Sequence, residues 1–148
     1  MAKFANDELA ARSWLRTIPG LPVNQINMVV PEDNSTWSAS GFVQIAITGD
    51  SSNHYYRLRR PVITASCWAV KPGNQNPDWV KASNLAETIA LACWDFNPPE
   101  GHLVLPSGYG TARILQAEII QPPRRAYGDE GDYAKYTVDF QLTWNPSD

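Results

Sequence analysis

The sequence predicts an α+β domain built as an antiparallel four-stranded sheet packed by two helices on one face. Two stretches place apolar residues at helical spacing behind capping residues, and four stretches alternate with a period of two. They run in the order helix, strand, strand, helix, strand, strand, with short links inside each strand pair, which favours hairpins over parallel crossovers. At 148 residues and with no repeat of fixed period, the chain is expected to form one domain over residues 1–148.

The first helix starts at Asn6, a capping residue, and continues through the acidic pair Asp7-Glu8 with Leu9, Ala10, Trp14, Leu15 and Ile18 on its apolar side. Pro19-Gly20 ends it. Residues 19–40 are rich in proline and polar residues, and only residues 26–30 are extended enough for a short strand. From Gly41 the period becomes two. Val43, Ile45 and Ile47 share one face, and Phe42, Gln44, Ala46 and Thr48 the other. A turn at residues 49–53 leads into a second strand over residues 55–70, with Pro61 at an edge or a bulge because proline cannot donate to a ladder. That strand sorts Val62, Thr64, Ser66, Trp68 and Val70 against Ile63, Ala65, Cys67 and Ala69. Neither side is charged, so both faces are expected to be covered.

Asn76-Pro77-Asp78 reads as an N-cap, a first-turn proline and a first-turn acid, and it opens a helix over residues 77–93. Ala82, Leu85, Ala86, Ile89 and Ala92 line its buried side. Residues 113–121 read as a strand with Leu115, Ala117 and Ile119 aligned, stopped by Pro122-Pro123. The last strand alternates most cleanly: Tyr136, Val138, Phe140, Leu142 and Trp144 oppose Lys135, Thr137, Asp139, Gln141 and Thr143. Its polar face is expected to be solvated or to line something wet.

Composition narrows the function. Charged residues are 18% of the chain against a usual share of about 25%, and six Trp, six Tyr and four Phe exceed the needs of a small core, which points to association. A net charge of −3 argues against a dedicated nucleic-acid binder. No signal-peptide core and no apolar run of ~20 residues occurs, so a soluble protein made in the cytoplasm is expected, without membrane contact.

No motif carries chemistry. Cys67 and Cys93 sit in apolar runs and read as buried, reduced thiols; His54 and His102, the two histidines, would have to be brought beside one of them in space to serve as a catalytic base, and the four residues lack the close pair spacing of a zinc site. The acidic loop Asp129-Glu130-Gly131-Asp132 lacks regular cation-ligand spacing, and Gly108-Tyr109-Gly110 precedes a strand and reads as a turn rather than a phosphate loop. No catalytic residue, cofactor or metal is expected. Tyr55, Tyr56, Arg57, Arg59 and Arg60 interleave aromatics with base, yet on a strand Arg57 and Arg59 point opposite to Arg60, which suits a protein contact better than a phosphate track. Arg124 and Arg125, with Asp129 and Glu130, give the last hairpin a charged tip expected to be mobile over residues 122–132 and to carry partner recognition.

The residues also resemble a family. Ser13-Trp14-Leu15-Arg16 is followed by Pro19-Gly20-Leu21, then Trp37 with Gly41-Phe42-Val43-Gln44. Leu58-Arg59-Arg60-Pro61-Val62 runs into Cys67-Trp68-Ala69, and Asn84-Leu85-Ala86 lies on the second helix. Over residues 14–89 these local words are similar to the tail terminator proteins of long-tailed bacteriophages. The later strands agree in order only, and residues 122–132 match nothing in that pattern.

The resemblance implies a virion protein of the tail–neck junction, assembled in the host cytoplasm. Its subunits would close into a ring, expected to be a hexamer, that caps the tail tube, ends its polymerisation and offers a docking face to the head–tail connector protein. The implied partners are further copies of the chain, the tail tube protein and the connector, with DNA passing through the lumen unbound. The alternatives are another ring component, such as a tube or connector protein, and a small-ligand or enzymatic α+β domain.

Overall fold

Alternation at Val43 and Ile45, Ile63 and Ala65, and Val138 and Phe140 produces three strands whose apolar sides coincide, and all six residues are at most 1% exposed. The computed structural model describes residues 6–31, 34–50, 58–73, 76–96, 103–105, 109–126 and 133–147. Its elements are α1 (Asp7–Leu15), β1 (Ile26–Asn27), a 3-10 turn (Asn34–Thr36), β2 (Phe42–Asp50), β3 (Pro61–Ala69), α2 (Trp79–Trp94), β4 (Leu103–Val104), β5 (Thr111–Arg125) and β6 (Ala134–Ser147).

The fold is α+β with one mixed sheet, ordered β1-β2-β3-β6-β5-β4. The four long strands are the expected antiparallel set. The sheet nevertheless has six strands rather than four, because β1 pairs parallel to β2 through Ile26 and Val43, and β4 pairs with the start of β5 through Leu103 and Ala112. β1 lies within the short strand expected over residues 26–30, whereas β4, two residues long, carries too little pattern to be read from sequence.

Both helices pack on the same face, in one core. Leu9, Trp14 and Leu15 of α1 and Leu85, Ala86 and Ile89 of α2 meet the inward side chains of β2, β3, β5 and β6. One continuous row of that face reads Ile47, Ile63, Phe140, Ile119 across neighbouring strands. α1 lies over β1 and β2, and α2 over β3, β6 and β5. Asn6 caps α1 as expected, accepting a 2.8 Å bond from Leu9 N–H.

Four local expectations are corrected. The cap of α2 is Asp78, which accepts from Lys81 N–H at 3.1 Å, and not Asn76. Lys71 N–H bonds Asn76 C=O and Val70 bridges Pro77, so Pro77 is held extended and the helix begins after it. β3 begins at Pro61 and leaves out residues 58–60, while residues 55–57 of the expected strand lie outside the described residues. Arg59 and Trp144 exchange both backbone bonds in the register that β3 keeps with β6, so the next position facing β6 in that pattern is Pro61, which has no N–H to give.

Leu115 is exposed rather than aligned with Ala117. A bulge between Ile114 and Gln116 makes Leu115 the extra residue, and Ala112 and Ile114 take the core positions before it. Pro122-Pro123 does not stop β5 either: Arg124 and Arg125 still pair with Thr137 and Tyr136, because a second irregularity absorbs the prolines where no described strand lies on the outer side.

Expected cover on both faces is also corrected. At one end of the second face Trp37, Phe42 and Val70 form a small cluster with Val30, Trp68 and Tyr133. Beyond it no described helix crosses that face. Of the turn expected at residues 49–53, Gly49 and Asp50 instead continue β2, paired with Val62 and Pro61, and residues 51–53 lie outside the described residues; β2 and β3 do form the hairpin.

Candidate interface surfaces

Asp7, Arg59 and Trp144 form one knot. Trp144, fully buried, donates its indole N–H to Asp7 Oδ1 at 3.0 Å, and Arg59 holds the same carboxylate through Nε at 3.2 Å and Nη2 at 3.3 Å. The Arg59 guanidinium lies 5.5 Å from the centre of the Trp144 ring. The carboxylate therefore joins the start of α1 to β6 and to the segment entering β3. Arg59 is thus committed within the subunit and offers an interface only the exposed part of its side chain.

The sheet face away from the helices is polar, and several of its groups bond one another. Thr48 and Thr64 hydroxyls lie 3.2 Å apart, Thr64 donates to Asp139 Oδ1 at 2.8 Å, and Arg124 Nη2 reaches Asp139 Oδ2 at 3.1 Å. Trp68 donates its indole N–H to Gln44 Oε1 at 3.1 Å, and the Lys135 ammonium sits 4.8 Å from the centre of the Trp68 ring. Arg125 lies 4.1 Å from the centre of the Trp79 ring, and Trp79 itself packs edge-on against Tyr136. The two neighbouring arginines therefore engage different groups, Arg124 on the open face and Arg125 beside α2. Both belong to a paired strand, and Ala126 N–H continues the pairing to Lys135 C=O, so the strand reaches into the first residues of the expected tip.

Of the other sequence-derived interface candidates, Arg60 is half-buried and its carbonyl accepts from Gln141 Nε2. Tyr55, Tyr56, Arg57, Asp129 and Glu130 lie outside the described residues, as do His54, His102 and the rest of the tip, 127–132. Gly110 has φ +79° and its C=O accepts from Leu105 N–H between β4 and β5, while Gly108 of the expected turn lies outside the described residues.

Two surfaces escaped the sequence reading. Past Ala112, β5 has no described neighbour on its outer side, leaving an open edge that shows Leu115 and Ile120 to solvent. On α2, Val80, Leu91 and Trp94 point outward at 71%, 56% and 61% exposure, with Asn84 and Glu87 on the same side. The spacing of this stripe was legible, yet its residues look like those of a core-facing helix until the buried side is known.

Cys67 and Cys93 are buried free thiols, and loss of hydration pushes both up to about 12, so neither is a thiolate near neutral pH. Among the described residues no three His, Cys, Asp or Glu side chains gather to hold a metal, and no helix is long and apolar enough to cross a membrane. A cleft of about 390 Å³ opens beside α2 between Gly20, Asp78, Lys81 and Thr88. Lys81 spans it, donating to Ser38 and Ala39 carbonyls at 3.3 and 2.9 Å, so its ammonium is already used in tying α2 to the segment before β2.

No protein-family model matches the chain, and no curated protein matches it.

Proposed function

We propose that the protein is a structural ring subunit of a bacteriophage tail, of the tail terminator kind, and not an enzyme. The carrying observation is a sheet covered by both helices on one face, with no described helix over most of its other face and no described strand beside β5 past Ala112. A closed ring with one kind of subunit needs two different complementary surfaces on each copy. The open edge of β5 with Leu115 and Ile120, and the apolar stripe of α2, supply surface for one of them. A polar face on which Asp139 is paired with Arg124 suits the wall of a wet lumen past which DNA moves without adhering.

In this reading the ring seats on the tail tube, ends its growth and presents its far side to the connector. The 127–132 tip and the Tyr55, Tyr56 and Arg57 segment are the proposed places for partner-specific contacts. Light scattering of the pure protein tests the first step. A closed particle near six times the 16.5 kDa chain mass is expected. A strict monomer that binds a small ligand in the cleft beside α2 would favour the ligand-domain alternative.

A further inference from the structure

α1 is buried on every side but one. Asp7, Leu9, Ala10, Ala11, Ser13, Trp14 and Leu15 are buried, while Glu8, Arg12 and Arg16, spaced four residues apart, form its only outward stripe. Two features of that stripe are costly in an isolated subunit. Arg12 and Arg16 place like charges at i and i+4, a destabilising arrangement. Both also carry a buried Nε with no hydrogen-bond partner. A buried donor left unmade loses its hydration without return.

Burial and the neighbouring Arg12 charge both lower the Arg16 pKa, which has the same meaning: the cation is held where its surroundings do not favour it. Favourable placement of cations at a helix C-terminus offsets part of the charge cost but does not satisfy the Nε donors. Beside Arg12 a cleft of about 190 Å³ is lined by Asn6, Glu8, Leu9, Met28 and Tyr109, so an incoming side chain has room to reach the guanidinium.

We propose that the Arg12–Arg16 pair is a carboxylate-binding site, filled in the assembly by acidic side chains on the outer side of α2 of a second copy of this chain. Guanidinium forks match carboxylate geometry, and a carboxylate received on the outer guanidinium nitrogens compensates two cations held at a cost and separates the like charges with an anion. The chain supplies the complement. Glu87 and Asp95 are exposed on and just beyond α2, among the outward Leu91 and Trp94. Because α1 covers the β1–β2 side of the sheet and α2 the β3–β6–β5 side, one copy's α2 meets the next copy's α1 in a head-to-tail contact that can close. The inference rests on the ring reading and assigns one of its interfaces.

The test is charge exchange read by sedimentation of the full chain. Arg12→Glu with Arg16→Glu, and separately Glu87→Arg with Asp95→Arg, are each expected to weaken self-association at least tenfold, and the chain carrying all four changes to recover it. Arg12→Gln with Arg16→Gln gives the same loss without reversed charge, should the Glu variant fail to fold. Association is also expected to weaken as salt rises.

Rings from the Gln variant as stable as those of the unmodified protein would overturn this site and leave the ring reading standing. A monomer at every concentration, alone and with tube protein, would overturn both. Thermal stabilisation of the unmodified protein by millimolar inorganic phosphate, with assembly unaffected by the Gln changes, would reassign the pair to a free anion and overturn the second-copy assignment.

Discussion

Asp7 Oδ1 and Trp144 Nε1 lie 3.0 Å apart across 137 residues of chain, and this bond fastens the first turn of α1 to the end of β6. The indole is fully buried, so its N–H has no water to turn to. Asp7 also sits in the first turn of α1, where its charge complements the helix N-terminus.

Asp7→Ala is therefore expected to cost on the order of 2–3 kcal/mol, from an unsatisfied indole and a guanidinium left without its partner. Asp7→Asn keeps an acceptor and should lose less. Urea unfolding measures both, and equal stability of Asp7→Ala and the unmodified protein would remove the knot from the account.

Gly41 has φ +81°, and a Cβ there would meet Leu85 Cδ1 at 2.7 Å and Trp68 C=O at 3.1 Å. Gly73 has φ +90° with nothing near its Cβ position. Both Ala variants bear backbone strain of about 1 kcal/mol, but Gly41→Ala should lose more because α2 is pressed against that backbone. Equal losses on thermal unfolding would show that the close approach of α2 contributes nothing.

The thiols give a pH signature. With the folded-state values of Cys67 and Cys93 raised from 9.0 to about 12, the unfolded chain releases thiol protons from about pH 9 while the folded one keeps them. Stability should fall as pH rises through that window. Below it the two thiols add no pH dependence. A disulfide reagent at pH 8 should label them only on unfolding, and rapid labelling of the folded protein would contradict their burial.

Leu115 and Ile120 stand out on the open edge of β5 at 36% and 49% exposure. Leu115→Lys and Ile120→Lys should change the stability of the single subunit by no more than about 0.5 kcal/mol. The loss should fall on association, read as a lower sedimentation coefficient. Unchanged particle size would withdraw the β5 edge from the interface.

Much of this fold was legible because local pattern and tertiary packing agree in it. Val43, Ile45, Val138 and Phe140 alternate in sequence and are buried together, and Asn6 caps α1 where the capping rule puts it. The misreadings have a common cause. Leu115 is displaced by a bulge, Pro122 and Pro123 are tolerated because their outer side faces no described strand, and Asp78 replaces Asn76 because Pro77 is held by Val70. Each depends on a neighbour in space that no local rule sees. The same holds for the candidate surfaces. Arg59 reads as an interface residue in a basic, aromatic run, but its partner Asp7 lies 52 positions earlier in the chain.

Electron microscopy of the pure protein, alone and mixed with the tail tube protein proposed as its partner, tests the ring reading most directly. Closed rings of one diameter are expected in the first sample, and tubes ending in a single added ring, with growth stopped, in the second. Open tubes of the protein alone, or tube growth that continues unchanged in its presence, would contradict it.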